Sequence, residues 1–119
     1  GVSGADTSAP WDTNASLPDV VDTANEAVVS TTAANTFIFA AYDTQQGAGT
    51  LPGAGFTPIA NPPPYFFIEY QIVSAPQTNL TCGISNYIEL NVAVGDAIVA
   101  AGAAPAAYPF RRNRTYLGR

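Results

Sequence analysis

Glu69 and Glu89 are carboxylates of this 119-residue chain that sit on the more polar phase of β-patterned stretches. A pair of carboxylates is what glycoside hydrolysis requires, one as acid and the other as nucleophile or base. Both fall on the more polar phase of their stretches, where single charges more often guard a strand against unwanted edge pairing. The remaining catalytic repertoire is absent, because the sequence has no histidine, no lysine and one cysteine. Neither a nucleophile with its base nor a His or Cys zinc site can be assembled from it. The expectation is a protein that is not an enzyme.

Two other groups of side chains could bind a ligand. Asp12, Asn14, Asp19 and Asp22 place four oxygen-bearing side chains in one loop that could supply ligands to calcium, though no cofactor is expected. Their spacing is not that of an EF-hand, and Asx residues in loops mostly cap turns. Trp11, Tyr42 and Tyr65, if exposed, would offer ring faces to a sugar. Trp11, which follows Ala9 and Pro10, would otherwise pin the leading loop onto the body of the fold. Asn14, Asn79 and Asn113 head glycosylation sequons, but the use of arginine without lysine and the wealth of Ala, Gly and Pro point to a bacterial or phage chain, where sequons carry no weight.

Charge is distributed asymmetrically. The four basic residues, Arg111, Arg112, Arg114 and Arg119, all lie at the C-terminal end, so residues 1–110 carry nine carboxylates and no cation. That body repels a phosphate backbone, which disfavours nucleic acid. The arginines form a segment suited to contact with the acidic surface of a partner chain. No apolar run approaches the ~20 residues that span a bilayer. A single cysteine, Cys82, has no internal disulfide partner and is expected as a buried thiol.

Strands are needed to position any of these groups. Residues 65–74, Tyr-Phe-Phe-Ile-Glu-Tyr-Gln-Ile-Val-Ser, read as a central strand with Phe66, Ile68, Tyr70 and Ile72 on its core face. Further strands are predicted over 26–32, 36–42, 56–59, 78–85 and 87–101, with a turn at Ala33, Ala34 and Asn35 and a flexible glycine-rich loop over 47–55. Gly95 marks a bulge or a tight turn within the last of these strands, and a helix over 96–104 is the competing reading. Phase within the strands places Phe37, Phe39, Leu80, Ile84, Ile88, Leu90, Val92 and Ile98 in the core with the four residues above. The organisation expected is a leading loop over 1–23, a β-sandwich over 24–104 and a basic extended tail over 105–119. The fold class is all-β, an antiparallel β-sandwich of jelly-roll-like character.

Four stretches taken in order resemble a broad group of secreted and phage-borne β-sandwich domains of bacteria. They are Val29-Ser30-Thr31-Thr32-Ala33-Ala34-Asn35 with the strand that follows, Gly53-Ala54-Gly55-Phe56-Thr57, Glu69-Tyr70-Gln71-Ile72-Val73 and Ala97-Ile98-Val99-Ala100. The likeness is to the C-terminal part of those domains, whose preceding segment holds additional strands. It therefore implies a sandwich that is incomplete without a partner chain, with the residues from Gly1 to Gly4 as the tail of an earlier strand. The function implied is a structural or decorating subunit of a virion or extracellular assembly, forming homo-oligomers or packing against other subunits. A carbohydrate-binding module that meets a surface glycan through exposed aromatics is the alternative.

Overall fold

The computed structural model describes residues 2–22, 26–59 and 65–102, with side chains at all of these except 46–48. Seven strands follow one another: β1 (Asp19–Val21), β2 (Ala27–Val29), β3 (Thr36–Leu51), β4 (Thr57–Pro58), β5 (Phe66–Val73), β6 (Leu80–Cys82) and β7 (Ser85–Val99). No helix occurs among the described residues, and β7 occupies residues 96–99, where a helix was the competing expectation. Five strands form a sheet in the order β1-β7-β3-β5-β4, and β2 pairs with β6 in a second, small sheet. Every pairing is antiparallel. The fold is all-β and sandwich-like, with the small sheet laid on one face of the large one.

Gly95 shows why the two sheets can meet. A Cβ placed on it would lie 2.8 Å from Val29 Cγ2 and 3.2 Å from the Cβ of Ala27. The glycine therefore marks a close approach of β2 to β7, whereas a bulge or turn was expected at this position. The bulge lies elsewhere: Asp43 faces Val92 and Thr44 faces Leu90, which leaves Asn91 as the extra residue. That insertion reverses the alternation, so Leu90 points inward together with Ala93 and Ala97 while Val92 does not, and a second shift, between the pairs Gln45–Glu89 and Gln46–Tyr87, leaves Ile88 as an extra, exposed residue.

The core sits between the sheets. It comprises Ala27, Val29 and Cys82 from the small sheet, Ile38, Ala40 and Tyr42 from β3, Phe67 and Val73 from β5, and Phe56 and Ile84 from the connecting segments. Expectation and structure agree on Ile84, Leu90 and the burial of Cys82, with Leu80 packed at the margin. They disagree on the phase of β3 and β5. Phe37, Phe39, Phe66, Ile68, Tyr70 and Ile72 all belong to the opposite face, and Ile72 is 74% exposed. Both faces of these strands are apolar, so alternation cannot tell inside from outside. The narrow gap at Gly95 decides, and it accepts the smaller set.

Three further expectations are corrected by the pairing. β3, between β7 and β5, is the central strand, whereas β5 has only two-residue β4 on its outer side. The glycine-rich stretch continues β3 as far as Leu51, in an irregular ladder that puts Gln46 opposite Tyr87 and Leu51 opposite Ser85. The leading segment is part of the sheet: Ala5 bridges Ala100, Trp11 bridges Ile98 and Asp19 faces Gly95, so it runs as an interrupted edge along β7. The turn at Asn35 is as expected, with φ of 56° there.

Ile38→Ala is expected to cost about 2–5 kcal/mol, as for other buried aliphatic truncations, whereas Ile72→Ala should stay within about 0.5 kcal/mol. Urea titration of both variants checks the phase, and the reverse order would overturn it. Cys82 has its thiol pushed up to about 12, first by burial and then by the carboxylates of Glu69, Asp19 and Glu26. A neutral buried thiol is a poor nucleophile. Labelling by a disulfide reagent should therefore be slow in the native chain and complete in denaturant.

Candidate interaction face

Because the even-numbered residues of β3 from Thr36 to Thr44 are buried, Phe37, Phe39 and Ala41 must point away from the small sheet. The register adds neighbours on both sides. Phe37 lies between Ile72 and Ile98, Phe39 between Tyr70 and Asp96, and Ala41 between Ile68 and Val94. Directly paired residues share a face, so three rows across β5, β3 and β7 hold eight apolar or aromatic side chains and one carboxylate.

Aromatic contacts knit this face together. The rings of Phe37 and Tyr70 stack with centroids 5.1 Å apart and planes at 16°, Phe37 and Phe39 are 6.3 Å apart, and Trp11 leans on Phe39 at 6.4 Å. A groove of about 570 Å³ runs over them, walled at its two ends by Val2 and Ile59. The one charge, Asp96, has its carboxyl shifted upward by burial and by Asp12, against a hydrogen bond from the Ala97 N–H. With no cation and few polar groups, the face can bury apolar surface, and it lacks the donors and acceptors that a polar ligand needs.

The aromatics proposed for sugar binding are separated. Trp11 is 53% exposed at the edge of the face, and Tyr65 is 66% exposed just before β5, where its carbonyl accepts the Thr44 N–H. From Phe39 to Thr44 the strand covers roughly 17 Å, so the two rings do not form one platform. Tyr42 is fully buried and donates its hydroxyl to Glu69 Oε1 at 2.5 Å. No face of its ring is open to a glycan.

The paired-carboxylate arrangement is also absent. Glu69 faces Ala40 from β5, on the inner side, while Glu89 faces Gln45 from β7, on the other side of β3 and farther along it. Glu69 is wholly buried and is held by the Tyr42 hydroxyl and by the Gly53 N–H, which donates to Oε2 at 2.6 Å. Burial raises its pKa, and these two donors oppose the rise only in part.

The four oxygen-bearing residues of the leading segment do not converge. The Asp12 carboxylate accepts from the N–H groups of Thr32, Ala33 and Asn14 and from the Thr32 hydroxyl. Burial would raise its pKa, but these donors outweigh it and hold the group below the ordinary value. Asn14 caps Ser16, Asp19 accepts the Val28 N–H at 2.7 Å, and Asp22 is exposed. Asp12 and Asp19 thus tie the edge beside β7 to the strand and turn of the small sheet. Among the described residues, no three His, Cys, Asp or Glu gather as a metal site. Arg111, Arg112, Arg114 and Arg119 lie outside the described residues.

Comparison of the chain with protein-family models, with curated proteins and with solved structures finds no match in any of the three. The likeness to secreted and phage-borne sandwiches therefore rests on its four motifs. Sequence phase places six residues of this face, Phe37, Phe39, Ile68, Tyr70, Ile72 and Ile98, in the core, whereas they lie on the outer side. The signal against that assignment was the run of small inward residues, Ala27, Ala40, Ala93, Gly95 and Ala97, which marks the closely packed side.

Glu69 makes the stability of the fold depend on pH in a defined direction. Its folded pKa lies above the ordinary 4.5, so the native state holds this proton more tightly than the unfolded chain. Its contribution should be largest below pH 4.5 and should fall as pH rises through the raised folded value. The difference in unfolding free energy between wild type and Glu69→Gln, followed by urea titration across that window, should show this slope. A flat difference would refute it.

Proposed function

We propose that this chain is a structural β-sheet subunit that works by protein-protein packing, in a virion or other extracellular assembly. The observation that carries the reading is the outer face of the large sheet, which has the composition of a core and no small sheet over it. The largest apolar patch of a typical monomer, about 300–600 Å², is itself often functional. Three strands of aromatic and aliphatic residues, bordered by Trp11, Val2 and Ile59, make such a patch here. The setting comes from the likeness to secreted and phage-borne domains. The acidic body and the four terminal arginines supply opposite charges for orienting one subunit on another.

Glycan binding is the second reading, and the half-exposed Trp11 ring is what favours it. It is weaker, because Tyr42 is internal and Tyr65 is remote from Trp11. Binding to a glycan array in the absence of any protein partner would move the assignment towards it.

Ile72→Asp tests the packing reading, since it puts a charge on the most exposed side chain of the face. Because the site is exposed, unfolding free energy should change by less than about 0.5 kcal/mol. Self-association, or the binding of an apolar dye where the face stays open, should drop at least about tenfold, equivalent to 1.4 kcal/mol. A variant that unfolds, or one with both properties unchanged, would refute the reading.

A further inference from the structure

Among the described residues the aromatic groove on the outer face has no second sheet over it, and one segment of the chain has the attachment point and the chemistry to fill it. We propose that residues 103–119 strap across this face in the free subunit, laying Tyr108 and Phe110 over the groove and bringing an arginine to Asp96 beside Trp11. This goes beyond the packing reading, because it assigns what the face holds before an assembly partner meets it.

The point at which the described chain leaves the sheet supports this choice. The Ala101 N–H donates to the Gly4 carbonyl, which holds Gly102 beside the leading residues that wall one end of the face. A cavity of about 130 Å³ next to Ala100 shares Val2, Ser3, Phe37 and Ile72 with the groove of about 570 Å³, and so opens into it. Residues 23–25 and 60–64 are short connections between described residues, whereas 103–119 is long and begins at this rim.

The composition of the segment suits a face better than an edge. Tyr108 and Phe110, two positions apart, put both rings on one side of an extended chain, as contact with Phe37, Phe39 and Tyr70 requires. Residues 85–92 of β7 and most of β5 are open edges among the described residues. Pro105 and Pro109 remove backbone donors that strand addition at such an edge would use, while a face asks only for side chains.

Charge points the same way. Residues 1–110 carry no cation, and Asp96, the one charge in the three rows, is paired with Phe39, on which the Trp11 ring leans at 6.4 Å. A carboxylate close to an exposed indole suits a guanidinium, which stacks on the ring and pairs with the acid. The arginines are within reach: an extended chain covers roughly 30 Å from Gly102 to Arg111, against roughly 20 Å from Gly102 back to Asp96.

The test uses Trp11, the single tryptophan of the chain, as a probe on the face itself. In the full chain its emission should be blue-shifted and shielded from acrylamide, equally so from about 1 to 100 μM, because a tethered segment acts at an effective concentration on the order of mM. Tyr108→Asp with Phe110→Asp should move the emission to the red and abolish the shielding, with the circular dichroism spectrum unchanged. Arg111→Gln with Arg112→Gln should give part of that shift and reduce its dependence on salt. Shielding that grows with concentration would place the segment on another copy and overturn the proposal, as would an unchanged Trp11 signal in the aromatic variant. An unchanged signal in the arginine variant would overturn the contact at Asp96.

Failure of the packing reading is seen separately. With the face opened by Tyr108→Asp and Phe110→Asp, that reading expects apolar-dye binding or self-association to rise at least about tenfold, equivalent to 1.4 kcal/mol, and to be lost again on adding Ile72→Asp. An opened face that gains neither removes packing and leaves the strap. A wild-type face that already binds the dye, in a manner lost in Ile72→Asp, removes the strap and leaves packing.

Discussion

Val29 and Ala27 come down on β7 at the one position in that strand where there is no side chain. Contact at Gly95 is the constraint from which the arrangement of the sheets follows. Close to it the inward side chains are small or slender, Ala93 and Ala97 on β7, Ile38 and Ala40 on β3, Cys82 on β6, and the buried rings of Tyr42 and Phe67 lie farther along the sheet. Phe37, Phe39 and Tyr70 lie on the other side. A two-stranded sheet is marginal by itself. Its packing on Gly95, together with the Asp12 and Asp19 carboxylates that bind its backbone N–H groups, is what makes it part of a stable whole.

The same choice of phase explains the buried polar group. Turning β5 to place Phe67 and Val73 inside also turns Glu69 inside, and a carboxyl removed from water costs free energy unless it is hydrogen-bonded. Tyr42 and Gly53 supply the bonds, one from the adjacent strand and one from the segment that crosses the inner face after Leu51. A Cβ at Gly53 would collide with the carbonyl of Gly83, so the crossing segment must lie close to the chain leaving β6. Glu69 is therefore a structural anchor for that segment. Its hydrogen-bond donors are a phenol and a backbone amide, and the carboxylate of Glu26 is near enough to add to the upward shift that burial gives it.

What could be read from the sequence was local, and what could not was set between strands. Residues 66–73 and 80–82 fall within stretches identified by their β-branched and aromatic content, and the Asn35 turn by its residue type. The phase of β5 could not be read, because Phe66, Ile68, Tyr70 and Ile72 are more apolar than Phe67, Glu69, Gln71 and Val73, and yet the second set is the inner one. Hydrophobic periodicity assumes that the more apolar face is covered within the chain. Here the more apolar face is the one with no second sheet over it among the described residues. The bulge at Asn91 hid a second phase change, since nothing in Leu90-Asn91-Val92 distinguishes it from regular alternation. Trp11 and the leading segment read as a loop in the sequence because their pairing with β7 is broken into two single bridges and the three residues of β1.

A sheet with two apolar faces has a specific problem of solubility, and this chain answers it unevenly. Its edges are blunted in part, by Pro58 and short β4 beside β5 and by the leading segment beside residues 93–101, while residues 85–92 of β7 have no strand on their outer side among the described residues. Among the described residues the outer face has no second sheet over it: Asp96 is the one charge in its three rows, and Ile72 is 74% exposed. Had selection acted only to keep the subunit solitary, polar residues at Ile68 and Ile72 would have cost little, because neither side chain supports the inner core.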